Sequence, residues 1–192
     1  MDGNKKNLLD APYYSQWLDV KDADWQYRSC GIAALKMAME FLDKDAANSS
    51  LRRPTSKWIN LDDLIREGLV LGAYKQNVGW VHDGLVALAA EHGFKNSFRK
   101  EWAIERSPTS LNEGIEFVTS TLEERISVIA SVKGRDTGHL ILLIGFEKEG
   151  GELKGFYCHD PDAKKASEGV NKFIPAKDFL ELWKGRIIVV NK

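Results

Sequence analysis

The sequence predicts an α+β fold in which helices come first and a mostly antiparallel sheet follows. Helical spacing of apolar residues dominates up to about residue 124, whereas β-branched and apolar runs separated by turns dominate after it. Such segregation is typical of α+β domains and not of doubly wound sheets. No linker or repeat is visible, so we predict one domain over residues 1–192, with a helical half over about 11–124 and a sheet half over about 125–192.

Four helices are expected in the helical half. Their predicted ranges are 29–42, 61–67, 80–92 and 111–124. The residues expected to cap or end them are Ser29, Asn60, Gly68, Gly93 and the capping-box pair Ser110 and Glu113. Polar residues at 43–45 and 48–50 indicate a loop after the first helix.

The sheet half should hold several short strands and one helix. The predicted strands cover 126–132, 139–147, 153–159, 170–174 and 186–191, and the helix covers 175–183. Residues 148–151 indicate a turn, so the second and third of these strands should form a hairpin.

Cys30 is the candidate nucleophile because it directly precedes a segment of small, helix-forming residues. A cysteine at a helix N-terminus faces unpaired N–H groups, and the helix dipole there favours thiolate over thiol. Cys158, the other cysteine, lies in a predicted strand and is expected to be a core residue.

His139 and Asp160 are the candidate partners of Cys30. If Glu147 pairs with Glu152 across a four-residue turn, His139 lies opposite Asp160 on the same face of the hairpin. An odd-length loop would instead place His159 or Pro161 there. On the even register the carboxylate would hold the imidazole in one orientation, as the third member of a catalytic triad does.

An oxyanion needs donors close to the nucleophile, and the sequence offers two side-chain amides on the N-terminal side, Gln16 and Gln26. The backbone N–H of Cys30 would be the second donor. Gly31 is expected to leave room for a substrate backbone to approach. Trp17 and Trp25 flank the site and are candidate walls of a substrate groove.

Composition excludes several other classes of protein. The formal net charge is −1 with acids and bases mixed, which argues against a nucleic-acid partner. Two cysteines exclude a disulfide scaffold, and no apolar run is long enough for a membrane span. The first ten residues hold no signal peptide, so we expect a cytoplasmic protein, or a secreted one if a signal was removed. The sequence gives no indication of oligomeric state.

A family resemblance joins these segments. Residues 11–16 (Ala-Pro-Tyr-Tyr-Ser-Gln), Ser29-Cys30-Gly31, Gly138-His139-Leu140 and His159-Asp160-Pro161 resemble the bacteriocin-processing (double-glycine) peptidase-like branch of the papain-like cysteine peptidases. Residues 79–94 resemble the middle region of that family, so the likeness covers most of the chain.

The resemblance implies a papain-like α+β fold, a bacterial origin and a cysteine peptidase without a cofactor. Cys30 would be the nucleophile, His139 the base, Asp160 the orienting carboxylate and Gln16 the oxyanion amide. The chain departs from the leader-cleaving members, whose glutamine lies a few residues before the cysteine. Gln16 lies fourteen residues before Cys30 and Gln26 four before it. Gln16 fits the family's Tyr-Ser-Gln pattern if residues 17–27 are an inserted loop.

Three hypotheses of function follow from the sequence. The first is cleavage of a peptide or isopeptide bond in a peptide or protein substrate through a Cys-His-Asp triad and an acyl-enzyme, and the same residues would also support amide transfer. The second is a non-catalytic peptide-binding module of the same fold. A structural metal site made of Cys30, His139, Cys158 and His159 is disfavoured because their spacing matches no known zinc pattern, and we predict no metal.

Overall fold

The computed structural model of the protein describes residues 4–48, 59–104, 107–134 and 138–192. The helices in these ranges are α1 (Ala23–Gln26), α2 (Cys30–Asn48), α3 (Leu61–Val70), α4 (His82–Glu91), α5 (Pro108–Glu123), α6 (Ala166–Gly169) and α7 (Ala176–Leu182). The strands are β1 (Lys5–Leu8), β2 (Tyr74–Lys75), β3 (Gly79–Trp80), β4 (Phe98–Glu101), β5 (Val128–Lys133), β6 (Gly138–Glu149), β7 (Glu152–His159), β8 (Lys172–Pro175) and β9 (Trp183–Val189).

The main sheet confirms the α+β prediction. Its strand order is β4-β9-β5-β6-β7-β8, with β1 added to β6, and each of these pairings is antiparallel. Two of its strands, β1 and β4, come from the N-terminal part of the chain, where only helices were expected. Both are four residues long and largely exposed, so they lack the apolar alternation by which strands are read from sequence.

Helix α2 begins at Cys30, as predicted, and the backbone carbonyl of Ser29 accepts its first helical hydrogen bond from the N–H of Ala33 at 2.9 Å. The hydroxyl of Ser29 donates to the carbonyl of Trp25 at 2.7 Å. The helix continues to Asn48, so the loop predicted at 43–45 is wrong. Ser49 and Ser50 lie outside the described residues.

Asn60 caps α3 as predicted, since its Oδ1 accepts from the N–H of Asp63 at 2.9 Å. Gly68 does not end this helix, which continues to Val70. A side chain at Gly68 would stand 2.7 Å from the Trp80 ring, so this glycine serves close packing and not helix termination.

The other two predicted helices have different starts. Helix α4 begins at His82 because Trp80 belongs to β3, whereas Gly93, with a φ of +91°, follows its C-cap as expected. Helix α5 begins at Pro108, and its N-cap is Ser107, whose hydroxyl accepts from the N–H of Ser110 at 3.4 Å. The proposed capping box of Ser110 and Glu113 is therefore wrong.

The β6–β7 hairpin forms, but the predicted register is wrong. Glu149, and not Glu147, pairs with Glu152, and the turn consists of Gly150 and Gly151, both with positive φ. Irregularities between Leu143 and Gly145 and between Glu147 and Lys148 shift the pairing further. Strand β7 ends at His159, so Asp160 lies beyond the paired region and not opposite His139.

The core lies between α2 and the sheet. Every residue of α2 from Gly31 to Phe41 is buried, so this helix is surrounded rather than amphipathic, and it packs against β6. None of the described helices is long and apolar enough to cross a membrane.

Gly145 is required where β1 pairs with β6. A methyl group there would overlap the backbone carbonyl of Asn7, so Gly145→Ala should lower the free energy of unfolding by about 1 to 3 kcal/mol. Urea unfolding measures this change. Gly138→Ala on the same strand is the matched control, because its methyl would meet only the flexible amine of Lys184 among the described residues. Equal stability of the two variants would contradict the close contact between Gly145 and the Asn7 carbonyl in the pairing of β1 with β6.

Candidate active site

Cys30 is half-buried at the first position of α2. The first N–H groups of a helix have no partner within it, so Cys30 sits among free donors. Gly31 does not open the site to substrate as predicted. A side chain at Gly31 would contact Leu140 and Trp80 at 3.1 Å and Leu85 at 3.2 Å, so this glycine lets α2 approach the core closely.

His139 lies between Cys30 and Asp160. Its Nε2 is 2.8 Å from Oδ1 of Asp160, and its ring also interacts electrostatically with the Cys30 side chain. Because a carboxylate only accepts, Nε2 carries a hydrogen, and Nδ1 is left to face the sulfur. The side chains of His139 and Asp160 are only 16% and 17% exposed, which strengthens their attraction. The predicted contact therefore forms despite the wrong register.

The surroundings favour a charged imidazole. Burial acts to lower the pKa of His139, but hydrogen bonds and charge from Asp160 and Cys30 outweigh it and raise the pKa to about 10. For Asp160, burial acts to raise the pKa, while His139 and then Lys172 outweigh it and hold the pKa well below its usual range. At neutral pH the pair is an imidazolium and a carboxylate.

Asp160 is fixed by contacts on both its side chain and its backbone. Oδ1 also accepts from the N–H of Asp162 at 3.1 Å, and Oδ2 accepts from Nζ of Lys172 at 2.9 Å. Its N–H donates to the carbonyl of Gly169 at 2.9 Å, and its own carbonyl accepts from the Tyr13 hydroxyl at 3.0 Å. The carboxylate therefore has little freedom to rotate away from His139.

Gln16 is almost fully buried, with 3% of its surface exposed. Its N–H donates to the carbonyl of Pro161 at 2.9 Å, and its Nε2 lies 3.2 Å from Oδ1 of Asp162. Nε1 of Trp17 donates to the same oxygen at 2.8 Å. The buried Oε1 has no hydrogen-bond partner among the described residues. The structure thus places Gln16 beside the segment that follows Asp160.

Gln26 has a different use. Its Nε2 donates to the carbonyls of Val20 at 2.9 Å and Trp17 at 3.3 Å, so it closes the loop between α1 and the preceding segment. Asp62 of α3 holds the same loop by accepting from the N–H groups of Asp22 and Lys21. The amide hydrogens of Gln26 are therefore occupied within the loop.

The two tryptophans that flank the site have unequal positions. Trp25 packs edge-on against Tyr74, with ring centroids 5.0 Å apart, and also against Trp80. Nε1 of Trp80 donates to the carbonyl of Arg28 at 2.8 Å, which holds the turn before Cys30. Trp17 instead lies against the exposed Tyr27 and the amine of Lys164.

The remaining cysteine and histidines have structural positions. Burial raises the pKa of Cys158 to about 12, so this thiol is unreactive at neutral pH. His159 is buried and its pKa is lowered by burial; its Nε2 donates to the carbonyl of Ala11 and its Nδ1 accepts from the N–H of Asn171. His92 pairs with Glu67 at 2.6 Å on the surface, and burial lowers the pKa of His82 at the start of α4.

Within the ranges that the structure describes, no group of three or more His, Cys, Asp or Glu side chains is arranged to hold a metal ion. Sequence reasoning missed Lys172 and Asp162, which contact Asp160 and Gln16. Asp162 lies two residues beyond Asp160, and its place in this polar segment was the only sequence feature that could have indicated a role at the site. Lys172 reaches the site through the β7–β8 pairing, for which the sequence has no local signal.

The α+β fold thus places a cysteine at a helix start and a histidine–aspartate pair beside it. The family model described as the Peptidase_C39 like family matches residues 8–186, and the chain belongs to that family. No match is found among curated proteins.

Two solved structures are similar to the chain. A presumed C39-like peptidase from Bacillus anthracis is 14% identical, with a TM-score of 0.61 and 98% of each chain covered. The peptidase domain of ComA from Streptococcus mutans is 16% identical, with a TM-score of 0.44, 92% of this chain and 99% of that chain covered. The first likeness and the family match show a C39-like peptidase fold, which confirms the predicted α+β fold class.

Asp160→Asn should lower the pKa of His139 by roughly 1 to 3 pH units, because the variant keeps a similar shape but loses the negative charge. The His139 ring titration, followed by NMR and assigned with a His139→Ala variant, measures this. Glu67→Gln is the matched control, since it neutralises the carboxylate beside His92 and should leave His139 unchanged. An unaltered His139 titration in Asp160→Asn would contradict the electrostatic role of Asp160.

Proposed function

We propose that the protein is a cysteine peptidase that cleaves a peptide or isopeptide bond with Cys30, His139 and Asp160. The observation that carries this proposal is the position of His139, which interacts with the Cys30 side chain on one side and lies 2.8 Å from Oδ1 of Asp160 on the other. A histidine that joins a thiol to a buried carboxylate can move a proton at the sulfur while its ring stays fixed.

In the proposed reaction, the Cys30 thiolate attacks the carbonyl carbon and forms a C–S bond. The imidazolium of His139 stabilises the thiolate beforehand, and the start of α2 adds its dipole. His139 then gives its proton to the leaving amine as the C–N bond breaks, which leaves a thioester on Cys30 and a neutral imidazole.

Water completes the cycle. His139 takes a proton from water, the hydroxide adds to the thioester, and the C–S bond breaks to release a carboxylic acid and regenerate the thiolate with an imidazolium. An amine acceptor in place of water would give amide transfer with the same residues. Access of water or of an amine to the thioester therefore decides between hydrolysis and transfer.

The oxyanion of each tetrahedral intermediate requires two donors. We assign the backbone N–H of Cys30 and the Nε2 of Gln16 to this role. Gln16 is favoured over Gln26 because its Nε2 has one acceptor among the described residues, Asp162, whereas both hydrogens of Gln26 are directed at loop carbonyls. An amide nitrogen carries two hydrogens, so Gln16 retains one for an oxyanion.

Substrate contacts are proposed on the side of Trp17. Its ring is half-buried, and the neighbouring Tyr27 is 55% exposed. Trp25 is held within the aromatic cluster with Tyr74 and Trp80, so we assign it to support of the turn before Cys30 and not to a groove wall.

The pairing of Cys30 with His139 predicts an early onset of thiol reactivity. At pH 6, iodoacetamide should alkylate Cys30 at least about tenfold faster in the intact protein than in His139→Ala, because the neighbouring histidine can activate the sulfur only in the intact protein. Mass spectrometry locates the adduct, and the fully buried Cys158 serves as an internal control that should stay unmodified.

Equal rates in the two proteins, or a Cys30 that cannot be modified while the protein is folded, would overturn the hydrolase proposal. The fold would then be better explained as a peptide-binding module.

The oxyanion assignment can be tested without knowing the natural substrate. Gln16→Ala should slow acylation by p-nitrophenyl acetate by roughly 10²-fold, since one oxyanion donor is lost, while alkylation by iodoacetamide, which forms no oxyanion, stays near the original rate. The release of p-nitrophenolate measures acylation.

Gln26→Ala is the matched comparison. It should leave both rates within about threefold, because it removes only loop contacts. A selective loss of acylation in Gln26→Ala, with Gln16→Ala unaffected, would assign the oxyanion to the other amide.

A further inference from the structure

Lys172 meets the candidate triad from the strand next to β7. It is the first residue of β8 and pairs with Cys158, two residues before Asp160. Its Nζ lies 2.9 Å from Oδ2 of Asp160, and 46% of its side chain is exposed. In the proposed reaction, only Oδ1 of Asp160 contacts His139, and Oδ2 has no assigned role.

The place of Lys172 is fixed by the backbone. The preceding residue, Asn171, has a φ of +50° and donates its N–H to Nδ1 of the buried His159 at 3.2 Å. The β7–β8 register then places the next residue, Lys172, beside the end of β7, directly before Asp160. The contact is therefore a result of the fold and not of a free surface lysine reaching a nearby acid.

The two oxygens of Asp160 serve different partners. Oδ1 accepts from His139 at 2.8 Å and from the N–H of Asp162 at 3.1 Å, while Oδ2 accepts from Lys172. One negative charge is thus shared by two cations. The ammonium fixes the plane of the carboxylate, and its positive charge also weakens the stabilisation that Asp160 gives to the imidazolium.

We propose that Lys172 is a positioning residue that orients Asp160 through its second oxygen and, by sharing its charge, sets the pH range over which His139 is protonated. The effect of Lys172 on His139 does not depend on the proposed function. Only the catalytic consequence of that effect rests on it. A fully protonated His139 is a good acid for the leaving amine but a poor base for water, so limiting the imidazolium helps the second half of the reaction.

The sign of the effect follows from the charges around the pair. Among the described residues, the other titratable groups that interact with this cluster include Cys30, Cys158, Asp162 and Tyr13, and the amine of Lys184 lies near Gly138. Removing the ammonium leaves the full charge of Asp160 to His139 and removes a repelling cation. The imidazolium should then persist to higher pH.

The test compares Lys172→Met with the intact protein by NMR titration of the His139 ring. We expect the His139 midpoint to rise by about half a pH unit or more. Lys172→Arg keeps the charge and should stay near the original value. Lys172→Gln keeps a donor without the charge and should rise like Lys172→Met; it also carries the test if the methionine variant does not fold.

Lys154→Met is the matched control, because Lys154 makes a 2.8 Å ion pair with Glu152 at the start of β7, at the opposite end of that strand from Asp160. It should leave the His139 titration unchanged. A midpoint that stays constant or falls in Lys172→Met and Lys172→Gln would overturn the inference.

Iodoacetamide labelling of the same variants separates this outcome from the fate of the proposed function. Rapid, His139-dependent labelling of Cys30 combined with an unmoved His139 midpoint refutes only the role of Lys172. A raised midpoint combined with ordinary Cys30 labelling supports the charge sharing by Lys172 and refutes the peptidase proposal.

Discussion

The partly buried carboxylate of Asp160 is the group on which the arrangement of the site depends. Burying a charged carboxylate is costly unless its oxygens are hydrogen-bonded, and here three donors from three different segments supply those bonds. The donors come from β6, from the turn after β7 and from β8. Asp160 can therefore be charged and buried only when these segments are correctly folded together, which couples the candidate chemistry to the sheet.

The same region ties the N-terminal segment to the sheet. Leu9 donates its N–H to Ile144 at 2.7 Å, the hydroxyl of Ser15 donates to the carbonyl of Ala163 at 2.7 Å, and Gln16 donates its N–H to Pro161. On its other side, the Tyr14 hydroxyl donates to Glu40 of α2 at 2.6 Å. These bonds place the segment that holds Gln16 between α2 and the sheet, as the proposed oxyanion role of a glutamine fourteen residues before Cys30 requires.

Local signals in the sequence predicted the elements that carry the site, but not the relations between them. The start of α2 at Cys30 and the apolar strand after Gly138 were readable because each has its own pattern. The hairpin register was not, because a two-glycine turn and two irregularities each move it. His139 and Asp160 meet all the same, because Asp160 lies past the end of β7, where the reach of a side chain and not the register decides contact. Lys172 was beyond prediction since its contact requires knowledge that β8 pairs with β7.

Sequence spacing alone does not decide which of the two glutamines is the oxyanion donor, whereas the contacts of their amide groups favour one of them. Gln26 has the closer spacing to Cys30, yet its amide closes the loop of residues 17–20, and freeing it would leave two carbonyls without that donor. The amide of Gln16 lies against the carboxylate of Asp162. A carboxylate repels the amide oxygen and accepts from the amide nitrogen, so Asp162 keeps Nε2 of Gln16 directed toward itself. That fixed orientation spares the reorganisation that an oxyanion donor would otherwise need during the reaction. Residues 17–27 therefore separate Gln16 from Cys30 and occupy the Gln26 amide, while Asp162 holds the Gln16 amide in place.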